Sequence, residues 1–466
     1  MAQWVPIPIN QTILTNVDET SLGRQSAALE NGYVNDVGGH TRFPGLIPFA
    51  TVSPGRVYTF EYRGDMIAVT SLGRVWRVSR NGTTEDITEV AVTGGRRPIF
   101  SATEDELLVA AGGPIVAFSG NKTEILSADA PETTHVAYSR GYALAIEKDS
   151  QRANYSDPGT YTIWPALNVF SAEGKPDSVT ALIITPYEEI LLAGPKSIEQ
   201  FETSPSGSNP FYRRWMAGQG LLAPYTLVAT KFGTYGVSQD AEFVRFVNQT
   251  TDPESDAIQS TLDKIDSWTD AWAKEMIMFG QRFIILQMPE ATNIYGTKGV
   301  TLIYDEKRRY WYSLYGWDSE LNRPARWPGW SHEFIWSRHF VGGDGVIYEM
   351  REDAYANAGL PQRYLARTGH YQQEGEDLRL DDLRLRFKRG AIDPNTGRNP
   401  ILALRVNKDN QGFGSWIRKP LGQHGQRNMV LNYGSLGTAA TWQFEWFVVD
   451  EAPIELVSIE ARVERI

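Results

Sequence analysis

Apolar strand-like runs recur along the first three quarters of this 466-residue chain, near Val57, Ile99, Val136, Val179, Tyr225, Met276 and Trp336. A spacing of roughly 40–50 residues is the signature of radial or stacked repeats, with the four-stranded blade of a β-propeller the leading candidate. Within each repeat the runs are short and bounded by turn residues. Val57 to Glu61 and Met66 to Thr70 flank Tyr62-Arg63-Gly64-Asp65, which reads as a hairpin, and Arg80-Asn81-Gly82-Thr83 carries the Asn-Gly hairpin signal. Counting such cycles predicts six or seven blade-like units. One stretch breaks the beat: Ile258, Leu262, Ile265 and Trp268 follow a 3–4 spacing that predicts a helix with Ser255 as its N-cap.

Three regions follow. Residues 1–50 are turn-rich and read as an N-terminal arm and first-blade entry. Residues 51–365 form the propeller. After about Ala366 the pattern changes to longer alternating strands, Leu378 to Phe387, Ile401 to Val406, Met429 to Asn432, Thr441 to Val449 and Ile454 to Arg462. Residues 366–466 are therefore expected to form an antiparallel β-sandwich-like domain, with a bulge at Asp381-Asp382 that aligns Arg384, Arg386 and Lys388 on one face. The fold class is all-β.

Composition narrows the function. With 41% hydrophobic residues the chain can bury a large core. The absence of cysteine excludes disulfides, thiolate zinc sites and thiol catalysis. No apolar run approaches the ~18 residues that span a membrane, and the N-terminus lacks the features of a secretory signal. A soluble product made in the cytoplasm, without membrane insertion, is expected. A net charge of −11 argues against a protein that grips nucleic acid through a broad basic surface, but suits a passage that DNA must cross without sticking.

Catalytic constellations fail on spacing. His332-Glu333 starts like a zinc-binding helix motif, but Trp336 stands where the second histidine belongs and the next is His339. Asn407, Asp409, Gln411 and Gly412 mimic half of a calcium loop whose closing glutamate is replaced by Arg418. Asp157, Gly159 and Trp164 partly match the box of glycan-cleaving propellers, with the tryptophan two residues late and no recurrence. No catalytic, metal-ligating or cofactor-binding residue is assigned. Two aromatic stretches, Lys307 to Tyr312 and Trp327-Pro328-Gly329-Trp330, could stack on sugars or bases, but the favoured reading puts Trp311 in a blade core with Tyr310 and Tyr312 on the other side of the strand.

The order of several turn motifs carries a family resemblance. Asn31-Gly32-Tyr33-Val34-Asn35 precedes Arg42-Phe43-Pro44-Gly45; Ser156-Asp157-Pro158-Gly159 leads through Trp164 to Phe170-Ser171-Ala172-Glu173-Gly174-Lys175-Pro176-Asp177. Ala193 to Phe201, Asn209-Pro210-Phe211, Gly280-Gln281-Arg282-Phe283 and Leu302-Ile303-Tyr304-Asp305 with Trp311 follow. Over residues 30–350 the chain resembles the tail hub, or nozzle, proteins of short-tailed bacteriophages, also called packaged DNA stabilization proteins. The resemblance implies a virion structural protein of the phage tail, assembled as a homo-hexameric ring below the portal adaptor. The ring would continue the DNA channel, help retain the genome, pass DNA without specific binding, and anchor tail spikes or fibres and a needle or plug. The rival readings are a receptor- or polysaccharide-binding propeller using Trp327 and Trp330, and a glycan-cleaving propeller enzyme.

Overall fold

Seven four-stranded antiparallel units follow one another in the computed structural model, which describes residues 2–7, 28–204, 209–372, 377–389, 397–422 and 426–466. Residues 8–27 of the expected N-terminal arm lie outside the described residues. The innermost strands of the units are the second half of Gly45–Tyr62, then Ile99–Ala102, Val136–Ser139, Ala181–Ile184, Val228–Thr230, Trp272–Met278 and Ser331–Ile335. Each is followed by three strands that meander outward. From Ile99–Ala102 onward each inner strand touches the next, and Ser331–Ile335 returns to Gly45–Tyr62. The remaining junction, between the first and second units, carries the stacked rings of Phe60 and Phe100, 5.4 Å apart. The result is a β-propeller.

Gly45–Tyr62 closes this ring. Its first part pairs with Asp344–Arg351 as the fourth strand of the seventh unit, while Val57 to Tyr62 pairs with Asp65–Thr70 as the inner strand of the first. The strand changes sheets at Pro54-Gly55, where Gly55 adopts φ +114°, a conformation that favours glycine. One continuous segment therefore hydrogen-bonds to the first and the last unit.

Turn chemistry explains most of the meander. Arg63 and Gly64, at φ 51° and 85°, make the two-residue hairpin read from the sequence. The run Phe334 to Phe340 reads as one strand but is a hairpin. Trp336 and Ser337 sit at φ 54° and 59°, and Ile335 pairs with Arg338. The helix expected from Ser255 is only the four residues Gln259–Leu262. Ser255 does not cap it: its Oγ accepts from the Phe243 amide at 3.0 Å and donates to Gln259 Oε1 at 2.8 Å. Ile258 and Leu262 are buried and Ile265 and Trp268 half-buried in the core between the fifth and sixth units, so the 3–4 spacing records anchor points of a linking loop.

The C-terminal region is a two-sheet sandwich. One sheet centres on Leu378–Arg389, between Arg427–Ala439 and Glu455–Arg465, and continues through His40–Arg42 to Gly32–Val34, with Gln3–Ile7 also on Glu455–Arg465. The register shift at Leu380/Asp382 is the expected bulge. It moves the inward positions from Leu378 and Leu380 to Leu383, Leu385 and Phe387, so all five leucine and phenylalanine side chains stay buried. The second sheet runs Ala28–Glu30, Tyr364–Arg367, Thr441–Val448, Ile401–Lys408, Ile417–Pro420, and supplies Trp442, Phe444, Trp446 and Val448 to the same core. That sheet is also the outward continuation of the sixth unit, because Glu30 pairs in parallel with Ser313. Among the described residues no helix is long and apolar enough to cross a membrane.

Candidate functional site

At the axis of the propeller lies a partly open cavity of about 190 Å³, lined by residues from all seven units. Its wall includes Tyr58, Arg97, His135, Tyr225, Lys274 and His332, and no carboxylate appears among the described residues that line it. Arg97 is the central group. Its guanidinium lies 4.9 Å from the Tyr58 ring and 4.4 Å from the Trp272 ring, and its Nη2 donates to the Trp330 carbonyl at 2.7 Å. Burial lowers its pKa to about 10, still leaving it charged at neutral pH.

The axial histidines are neutral. His135 stacks on Tyr225 with centroids 5.2 Å apart, and burial lowers its pKa to about 3. His332 Nε2 lies 3.0 Å from His339 Nδ1, and burial, helped by the neighbouring His339, holds His332 well below the ordinary histidine range. The histidines of the rejected zinc motif thus contact each other across a hairpin. Burial pushes Tyr225 up to about 12, so it remains a neutral phenol.

The other singled-out residues take structural positions. Trp311 and Tyr312 are both buried, on opposite faces of Tyr310–Ser313: Trp311 in the core of the fifth and sixth units, Tyr312 in the core shared with the sandwich. This strand would be an exposed outer edge in an isolated propeller; here Ala28–Glu30 covers it. Arg308 reaches Asp305 at 3.1 Å and Asp36 at 3.4 Å, and Arg309 reaches Glu254 at 2.8 Å. Trp327 and Trp330 are buried, and Trp330 is sandwiched between Arg56 at 4.2 Å and Arg326 at 3.9 Å. The polysaccharide reading loses its aromatic platform by this burial.

Arg384 and Arg386 each lie 3.6 Å from Glu460, and Lys388 lies 3.0 Å from Glu455. Asn407 accepts the Gly412 amide at 3.1 Å, and Asp409 accepts the amides of Ala440 and Thr441 at 2.8 and 2.9 Å, so the calcium-like residues lock turns. Asp157 accepts Asn168 Nδ2 at 3.1 Å while Trp164 donates to the Tyr161 carbonyl at 2.7 Å. The axial group was missed in the sequence because Arg97 and His135 sit in loops leading into strands and Tyr225 in the short 3-10 turn Pro224–Thr226, where no periodic pattern marks them as one site.

One rim of the propeller carries a chain of contacts between neighbouring hairpin tips. Trp336 Nε1 donates to the Gly64 carbonyl at 2.8 Å, Arg63 to the Glu104 carbonyl at 2.6 Å, and Tyr138 to the Glu104 carboxylate at 3.2 Å. Arg140 pairs with Glu188 at 2.8 Å, and Tyr187 donates to the Lys231 carbonyl at 2.9 Å. These links run from the seventh unit round to the fifth and hold the rim as one surface.

Comparison with protein families matches residues 25–355 to a phage-stabilisation family described as "Bacteriophage P22 Gp10, beta-propeller". A comparison with curated proteins returns no match. Similar solved structures include YCF48 from Cyanidioschyzon merolae, at 14% identity and TM-score 0.41, covering 66% of this chain and 99% of that one. BamB from Moraxella catarrhalis is 10% identical with TM-score 0.37, covering 65% and 97% of the respective chains. A streptogramin B lyase is 8% identical with TM-score 0.43, covering 66% and 96%.

Proposed function

Because the chain belongs to the P22 Gp10-like phage-stabilisation β-propeller family, we propose that this structural phage protein acts in the virion tail as a ring-forming hub. Copies of the chain, six in this reading, assemble below the portal and its adaptor, continue the DNA channel, help retain the packaged genome and hold further tail parts. The observation that carries the proposal is the match over residues 25–355, which includes every strand that builds the closed propeller ring.

Two physical features support it. The axial cavity, of about 190 Å³, is lined by aromatic and guanidinium side chains and is far narrower than a nucleic acid duplex, so a duplex cannot thread a single chain. In this reading the DNA path lies between copies, and each propeller is a solid block in its wall. Ring closure of this kind uses heterologous contacts, with two different complementary faces on each copy. The net charge of −11, multiplied around a ring, would repel phosphates and let DNA slide.

The test uses DNA-filled heads assembled without this protein. Adding the purified chain is expected to make their genome resistant to nuclease and to restore capture of the remaining tail components. Nuclease sensitivity that is unchanged by the addition contradicts the proposal.

A further inference from the structure

The axial cavity has an electrostatic character opposite to that of the whole chain. In a protein of net charge −11, its wall carries Arg97 and Lys274 and no carboxylate among the described lining residues. Lys274 has a partner, Glu333 at 3.2 Å. Arg97 forms no ion pair among the described residues, and one of its five N–H groups is used, on the Trp330 carbonyl. His332, also in the wall, leaves Nδ1 buried without a hydrogen-bond partner. Taking a guanidinium from water is costly unless it is both paired and hydrogen-bonded. A carbonyl and two aromatic faces supply part of that compensation, and Asp270 acts on the half-buried guanidinium only from beyond ion-pair distance.

We propose that the axial cavity binds one compact oxyanion of the phosphate or sulfate class, held by Arg97 with His332 and Lys274. The planar fork of Arg97 suits two oxygens of such an anion, and the 190 Å³ volume has room for an inorganic anion. The three groups come from the loop entering the second unit, the seventh unit and the sixth unit, and Tyr58 of the first unit packs on Arg97. A bound anion would therefore tie together the units on both sides of the ring closure made by Gly45–Tyr62. It binds the folded ring and not the unfolded chain, so it raises stability with ligand concentration.

The full chain is titrated with inorganic phosphate at ionic strength held constant with sodium chloride, following ³¹P signals and thermal unfolding. Saturable binding of one phosphate per chain, displaced by sulfate and accompanied by a rising Tm, is expected. Arg97→Met is expected to weaken binding at least about tenfold through loss of the charged fork. Should that variant not fold, Lys274→Gln, altered at a partly exposed amine, is expected to keep the fold by circular dichroism and weaken binding by about threefold. No saturable binding to the wild type, a Tm rise matched by sodium chloride alone, or unchanged affinity in the folded variants overturns the proposal. So does equal displacement by a DNA oligonucleotide, which would place the phosphate on the outer surface and not in the axial cavity.

Discussion

Glu445 shows how individual residues settle charge inside this chain. The carboxylate is fully buried and receives Arg367 Nε and Arg405 Nε at 2.6 Å each, while both guanidinium groups lie over Phe413. Removing the negative partner leaves two cations facing each other. Glu445→Gln is expected to lower stability by about 2–3 kcal/mol, discounted because both arginines keep some solvent, and urea unfolding measures it. A second residue-scale expectation concerns His135. Its folded pKa of about 3 lies below the ordinary 6.5, so the unfolded chain takes up the proton first. Its stability contribution is full above pH 6.5 and is lost as pH falls towards 3, by about 1.4 kcal/mol per unit. His332 acts in the same direction. His135→Phe, which keeps a ring against Tyr225, is expected to flatten the fall in urea midpoint between pH 6 and pH 4; an unchanged slope contradicts this.

At the scale of elements, the strand Gly45–Tyr62 is the feature on which closure depends. Gly342, at the end of the seventh-unit strand Arg338–Gly342, has no room for a side chain, because a Cβ there would meet the Val57 carbonyl oxygen at 2.1 Å. Gly342→Ala is expected to cost about 1–3 kcal/mol through forced backbone movement, read as a lowered Tm with the native circular dichroism retained. The inner strands were legible because their apolar runs are punctuated by Gly and Asn turns, as at Arg63-Gly64. The turn at Trp336-Ser337 was not, because neither residue is an ordinary left-handed turn former and no Gly, Asn, Asp or Pro interrupts the run from Phe334 to Phe340. The spacing from Ile258 to Trp268 misled in the other direction. Burial fixed where those apolar side chains fall, but the backbone between them is loop, and four residues are too few to sustain a helix by themselves.

At the scale of the whole molecule, the sandwich and the sixth propeller unit share one sheet and one core. Tyr312, Trp327, Trp442 and Leu383 belong to a single buried cluster, and Arg363 of the segment leading into the sandwich pairs with Glu30 at 2.6 Å. This continuity was invisible in the sequence, because the joining strand Ala28–Glu30 is three residues long and lies over 280 residues from its partner Ser313. Heating is expected to give one transition, coincident by tryptophan fluorescence and far-ultraviolet circular dichroism. Two well-separated transitions would show that propeller and sandwich are energetically independent.

The central claim is that the chain is a ring-forming part of a phage tail. Quantitative mass spectrometry of purified particles, scaled to the portal protein, tests it most directly. The account predicts a fixed, small copy number of about six per particle, as a closed symmetric ring requires; absence of the chain from particles would contradict it.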